Sequence, residues 1–190
     1  NSNPTLTACT ISGNTSTRWG GGIYCYANSS PTLSGCTISD NIADDGGAIY
    51  CYSNNSSPTV TNCTFTGNTA ADYGGGMFCS YSSPTLDTCT FTNNSANERG
   101  GGMFCMDNSN PTLTGCIFTN NSGDFGGGIY LTSSSPILDG CTFTNNTSLL
   151  TGGGIHIELS HPTITNCIFS NNACPEGFGG GICVVDGILS

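Results

Sequence analysis

The chain is poor in charged residues and almost free of basic ones. Charged side chains make up 7% of the 190 residues, lysine is absent, Arg18 and Arg99 are the two strongly basic groups, and the net charge is −10. Nucleic-acid binding needs clustered Lys or Arg, and anionic membrane surfaces attract polybasic segments. A run of 18 apolar residues, which could span a bilayer, is also missing. We therefore expect neither nucleic-acid binding nor direct membrane insertion.

An initiator methionine and a secretory signal peptide are also absent, and the first residues already follow the repeat described next. We interpret the sequence as a mature chain or as a segment of a longer array.

What the chain has instead is an internal repeat of 25 to 27 residues that opens on a proline. A repeat of this length is typical of solenoids, in which one unit stacks on the next. The sequence therefore predicts a single domain over residues 1–190 with seven repeats. The repeats begin near Pro4, Pro31, Pro58, Pro84, Pro111, Pro136 and Pro162.

Within each copy, apolar residues alternate with polar ones, as in Cys9–Ile11 and Ile23–Cys25. Alternation places both members of a pair on one face of a strand, and Pro, Asn and Gly separate the segments as corners. We predict an all-β, right-handed parallel β-helix of about seven coils with three short strands per coil. Its length would be about 34 Å at the usual strand spacing.

An asparagine recurs at one position of every copy. We place this column at the corner after the third strand, where its side-chain amides bond from coil to coil and satisfy the backbone of the bend. Its members are Asn14, Asn41, Asn68, Asn94, Asn121, Asn146 and Asn172.

The repeat resembles a known group of proteins. The motif FTNN (Phe91 to Asn94) followed by GGGM (Gly100 to Met103) is similar to the F-x-x-N and G-G-x-I pair of chlamydial polymorphic outer membrane proteins. More broadly, the chain resembles bacterial β-helix proteins of the pectin lyase-like superfamily. The resemblance implies secretion, surface display and adhesion.

Thirteen cysteines in a chain interpreted as secreted raise the question of disulfides. A disulfide across the core would join pairs such as Cys9 and Cys25. In two copies the second cysteine of the pair is replaced by Leu131 or Ile157, although Cys116 and Cys141 are kept. This favours reduced cysteines that act as small buried apolar groups. A bridge between Cys174 and Cys183 near the C-terminal end is left open.

A column of aromatic residues, ending in His156, lies between two inward columns, so we expect it to face outward. Three interpretations are open: self-stacking that stabilises the sheet, packing against another rod, or contact with glycans. Its aromatic members are Tyr24, Tyr50, Phe78, Phe104 and Tyr130.

Two further columns suggest weaker hypotheses. Asp44, Asp72, Glu98 and Asp124 align before the glycines, either as a solvated edge or as a weak calcium site. Outward Thr and Ser pairs such as Thr64 and Thr66 resemble the arrays of ice-binding solenoids, although Thr is also an ordinary strand residue.

Catalysis is not expected, although polysaccharide lyases and hydrolases share this fold. Arg18 and Arg99 lie in separate copies, and a site would require one copy to differ from the rest. We predict instead an extracellular structural or adhesive rod that forms surface filaments by end-to-end stacking. The apolar C-terminal segment, which includes Ile182, Val184, Ile188 and Leu189, favours strand addition. An adhesin stalk that binds a host or glycan ligand is the alternative.

Overall fold

The computed structural model describes residues 2–53 and 56–186, and these form an all-β parallel solenoid of about seven coils. The predicted fold class is confirmed. Ile188 and Leu189 of the apolar C-terminal segment lie outside the described residues.

Two seven-stranded parallel sheets, A and B, contain the first two strands after each proline. Sheet A contains β1 (Thr5–Thr7), β4 (Thr32–Ser34), β8 (Thr59–Thr61), β12 (Thr85–Asp87), β16 (Thr112–Thr114), β20 (Ile137–Asp139) and β24 (Thr163–Thr165). Sheet B contains β2 (Thr10–Ser12), β5 (Thr37–Ser39), β9 (Thr64–Thr66), β13 (Thr90–Thr92), β17 (Ile117–Thr119), β21 (Thr142–Thr144) and β25 (Ile168–Ser170).

Two more parallel sheets, C and D, complete the coil on either side of the glycines. Sheet C contains β6 (Ile42–Asp45), β10 (Thr69–Tyr73), β14 (Ser95–Ala96), β18 (Ser122–Phe125) and β22 (Thr147–Thr151). Sheet D contains β3 (Ile23–Tyr26), β7 (Ile49–Tyr52), β11 (Met77–Ser80), β15 (Met103–Met106), β19 (Ile129–Thr132), β23 (Ile155–Glu158) and β26 (Ile182–Val185).

Equivalent residues of successive coils pair in register, as in Leu86 with Leu113 and Phe91 with Phe118. The first and last coils have the three predicted strands, and the five between them gain a fourth in sheet C. This fourth strand arises because the variable segment after each asparagine is held by the same coil-to-coil backbone bonds, for example Thr69 N–H to Asn41 O at 2.9 Å.

The asparagine column forms a continuous hydrogen-bonded ladder. The Asn94 side-chain oxygen accepts from the backbone N–H and the side-chain amide of Asn68, at 3.1 and 2.9 Å. The Asn94 amide donates to Phe65 O at 3.0 Å and to the Asn121 side-chain oxygen at 3.0 Å. We predicted that the ladder would lie at the corner after the third strand, but it follows the second strand after each proline. The strand just before each proline lies in sheet D and belongs to the preceding coil, so it does not count as the first strand.

The glycine corner is so tight that a side chain would collide with the next coil. A Cβ on Gly102 would lie 2.5 Å from Gly128 O and 2.8 Å from a ring carbon of Phe118. Gly100 adopts a φ of +66°, a conformation that costs other residues free energy. The run of glycines therefore follows from the backbone path.

Apolar columns fill the interior of the coils. Phe65 stacks on Phe91 with ring centroids 4.4 Å apart and an interplanar angle of 1°, and Phe118 and Phe143 continue the stack at 4.7 and 4.9 Å. Stacked rings contribute about 0.5–1.5 kcal/mol per pair beyond the burial of their area. Ladders of this kind give the solenoid one continuous apolar core.

The cysteines of the described chain are free thiols. The Cys89 thiol donates to the backbone carbonyl oxygens of Val60 and Asp87, each at 3.4 Å. Cys174 and Cys183, for which a bridge was left open, are also unbridged, the first half-buried and the second buried.

Candidate functional site

The predicted aromatic column lies on the outer side of sheet D, but most of it is not exposed. Tyr24 has 44% of its surface exposed, whereas Tyr50, Phe78, Phe104 and Tyr130 have between 2% and 7%. His156, which continues the column, is also buried. The prediction of an exposed aromatic ladder is therefore wrong beyond the first coil.

The covering layer comes from the residue that precedes each glycine corner. The Tyr73 ring stacks 5.1 Å from Phe104, and Phe125 meets Tyr130 edge to face at 6.3 Å. The Arg99 guanidinium lies 5.3 Å from the centre of the Tyr130 ring. These side chains fold back over sheet D and exclude water from the column.

The cover is incomplete in the first three coils, where five aromatic side chains lie open to solvent. We call them the aromatic ledge: Trp19, Tyr24, Tyr26, Tyr52 and Tyr81, each with 39% to 50% of its surface exposed.

Four rings of the ledge are close to parallel. Trp19 lies 6.1 Å from Tyr24 at 16°, Tyr24 lies 6.0 Å from Tyr26 at 16°, and Tyr26 lies 5.9 Å from Tyr52 at 6°. Tyr81 meets Tyr52 edge to face at 6.4 Å. Each ring of the ledge therefore has another ring of the ledge within about 6.4 Å of it.

Two adjoining hollows border the ledge. One, of about 330 Å³, is lined by the rings of Trp19, Tyr24, Tyr26, Tyr50 and Tyr52. The other, of about 290 Å³, is lined by Tyr26, Tyr52, Ser53 and Tyr81. Together they form a shallow surface with aromatic walls and phenolic hydroxyl groups.

One carboxylate and one guanidinium lie beside the ledge, at Asp45 and Arg18. The backbone of Asp45 forms a parallel β-bridge with that of Trp19 in the preceding coil. Burial, and then the charge of nearby Asp72, raise the pKa of Asp45 to about 6. Burial, and then the charge of Asp45, raise the pKa of Tyr50. Arg18 lies over the Trp19 ring at 5.9 Å.

The sequence matches the profile described as the right-handed β-helix region, over residues 1–97 and 66–187. The chain belongs to the right-handed β-helix family. This agrees with the resemblance to pectin lyase-like proteins drawn from the repeat. A comparison with curated proteins finds no match. Because this fold supports both enzymes and proteins without catalytic activity, membership does not decide the function.

A second unusual cluster of the β-helix lies in its fifth and sixth coils and is closed to solvent. The Tyr130 hydroxyl donates to the Glu158 carboxylate, and Thr151 and His156 share a hydrogen bond of 2.6 Å. Burial lowers the pKa of His156 to about 4. The histidine is thus neutral at physiological pH and acts as a packed ring, stacked 4.6 Å from Tyr130.

The column of acidic residues that precedes the glycines lies on the side of the coil that sheet C forms. Successive coils bond there through their backbones, as in Glu98 N–H to Asp72 O at 3.1 Å. Within residues 2–53 and 56–186, no group of three or more His, Cys, Asp or Glu side chains is arranged to hold a metal ion. A solvated edge without a cofactor at Asp44, Asp72, Glu98 and Asp124 stays the prediction, with calcium as its weaker alternative.

The outward positions of sheet B are Thr, Ser or Ile and carry no charge. In sheet A, Asp87 and Asp139 interrupt a similar pattern. Ice binding by the threonine face of the β-helix likewise stays a prediction. The part of the chain that the structure describes contains no helix able to cross a membrane.

Sequence reasoning singled out Tyr24 but missed the other members of the ledge. Tyr26 and Tyr52 lie two residues after Tyr24 and Tyr50, so period-2 alternation could have identified a second outward aromatic pair. Trp19 and Tyr81 lie in corner segments, where no periodicity predicts the direction of a side chain.

Proposed function

We propose that this β-helix is an extracellular structural or adhesive rod that acts through surface contacts and not through catalysis. The support is the uniformity of the coils: sheets A, B and D continue in register from the first coil to the last. His156 and Glu158 interrupt their columns, but they are buried together with Tyr130 and are therefore closed to a substrate.

We further propose that copies of the chain stack end to end into filaments. The single observation that supports this proposal is the solvent exposure of core-column residues in the terminal coils. Ile182 and Val184 have 38% and 70% of their surface exposed, whereas their ladder partners Ile155 and Ile157 have 0% and 5%. At the other end, Ile23 is also only partly buried.

Stacking in the native register would bury the exposed apolar residues of both ends at once. It would place Ile182 of one copy against Ile23 of the next, and Val184 against Cys25, with the apolar matches that every internal pair of coils already shows. Sheet edges also present unpaired N–H and C=O groups, which pair readily with another strand. Hydrophobic burial and backbone pairing would therefore act together.

The test is electron microscopy of the untagged 190-residue chain over a concentration series. We expect filaments whose axial repeat is close to the length of seven coils. Dispersed short rods at every concentration would overturn the filament and favour the alternative, an adhesin stalk in which further coils of a longer chain cover these faces.

A pair of variants makes the test specific. Val184→Lys places a charge on the C-terminal face and should abolish filaments. Leu149→Lys changes a residue that is 42% exposed on the side of the rod and should leave them intact. Equal effects of the two substitutions would argue against end-to-end contact.

A further inference from the structure

The aromatic ledge groups five exposed aromatic side chains in the first three coils. We propose that the ledge (Trp19, Tyr24, Tyr26, Tyr52 and Tyr81) is a binding site for a neutral saccharide chain, whose pyranose rings stack on the aromatic faces. Trp19, Tyr24 and Tyr26 lie in the first coil, beside the face that end-to-end stacking would use, whereas Tyr52 and Tyr81 belong to the second and third coils and lie away from both end faces.

The ring geometry favours a ligand with flat, weakly polar faces. One face of a pyranose ring presents C–H bonds, which carry a partial positive charge and pack well on the negative face of an aromatic ring. Tyr26 and Tyr52 lie 5.9 Å apart and within 6° of parallel, so two exposed rings share one orientation across two coils. Extended saccharides require such a row of aligned contacts.

The chemistry at the edges of the ledge also suits a saccharide. The four tyrosines carry hydroxyl groups that can donate to or accept from sugar hydroxyls, while the bodies of the rings remain apolar. The two hollows, of about 330 and 290 Å³, are near the lower end of the range for small-ligand sites. A short stretch of a chain, and not a bulky folded partner, fits this volume.

The charges select a neutral ligand over an acidic one. Asp44, Asp45 and Asp72 lie on the adjoining side of the coils, and Arg18 is the one strongly basic residue in the first three coils. The net charge of −10 would repel a polyanionic saccharide. Uncharged hexose or N-acetylhexosamine units avoid this cost.

The fluorescence of Trp19 reports directly on the site, because Trp19 is the only tryptophan of the chain. We would titrate the protein with cellohexaose and with chitohexaose, and follow the tryptophan emission together with the heat of binding. A saturable change with at least one of them is expected. An oligogalacturonide of the same length should give none.

Variants distinguish binding at the ledge from non-specific adsorption to exposed apolar side chains. Tyr52→Ala and Tyr81→Ala remove exposed rings and should each weaken binding roughly tenfold, which corresponds to about 1.4 kcal/mol, while circular dichroism stays unchanged. Leu149→Ala and Leu150→Ala remove exposed apolar side chains elsewhere and should leave binding as it is.

Three results would overturn the proposal: no saturable signal with either neutral hexasaccharide, binding of the oligogalacturonide alone, or equal losses in the tyrosine and leucine variants. None of these outcomes bears on the filaments, whose test is microscopy. The two proposals can therefore fail separately.

Discussion

The indole ring of Trp19 lies 5.7 Å from the phenol ring of Tyr50, centroid to centroid, at an interplanar angle of 20°. This contact joins the exposed ledge to the buried part of the aromatic column, since Tyr50 is 7% exposed and Trp19 is 42% exposed. On the side of the later coils the rings are structural and covered. On the side of the first coil they are exposed, so the same ring chemistry is buried in some coils and open to solvent in others.

The asparagine ladder should be essential to stability. Replacement of Asn94 by Ala removes the acceptor of the Asn68 backbone N–H and the donor to Phe65 O, both in the buried interior. Unsatisfied buried groups each cost about 1–3 kcal/mol, so we expect the free energy of unfolding to fall by about 3 kcal/mol. Urea unfolding followed by circular dichroism measures this change. Asn97→Ala, at an exposed position, is the control, and equal losses would contradict the role of the ladder.

The glycine corner should be intolerant of even a methyl group. In Gly102→Ala the new Cβ would lie 2.5 Å from Gly128 O, whereas in Gly123→Ala the nearest atom is 3.3 Å away. Overpacking typically costs about 1–3 kcal/mol, so Gly102→Ala should lower the melting temperature clearly and Gly123→Ala much less. Thermal melts of both variants test the order, and the reverse order would show that backbone crowding does not explain the glycine run.

Some features of the molecule followed from its sequence, and others could not. The inward positions of residues such as Leu86 and Phe91 follow from period-2 alternation within a repeat, because each repeat has the same environment above and below it. The burial of Phe104 and Tyr130 did not follow, because Tyr73 folds back over the first and Phe125 over the second from the corner segments. Side chains in irregular segments have no periodic constraint, so both the cover and the open ledge became visible only in three dimensions.

The core thiols should resist alkylation in the native protein. Ten of the thiols are buried and so closed to the reagent, and burial in addition raises the pKa of Cys63 to about 11 and that of Cys79 well above its usual value. We expect iodoacetamide to label the three half-buried cysteines, Cys9, Cys167 and Cys174, before the ten buried ones. Mass spectrometry of native and urea-unfolded samples gives the count. Failure of both Cys174 and Cys183 to react after unfolding would instead reveal a bridge between them.

The charge on Asp45 should destabilise the fold at neutral pH. Burial, and then the neighbouring Asp72, raise its pKa from 3.8 to about 6, and one of its carboxylate oxygens is buried without a hydrogen-bond partner. Between these two pKa values the folded state binds more protons than the unfolded state. Stability is therefore lost as the pH rises through this interval.

Asp45→Asn keeps the shape of the side chain and removes its charge, so it should raise the melting temperature at about pH 8 and leave it nearly unchanged at about pH 3, where the carboxyl is protonated in both states. The gain will be moderate, because the side chain is partly open to solvent, which screens its charge. Asp186→Asn, at an exposed position in the last coil, is the matched control. An unchanged melting temperature at both pH values would mean that the Asp45 carboxylate is solvated well enough to carry its charge freely, and the acidic side of the ledge would then repel anionic ligands at full strength.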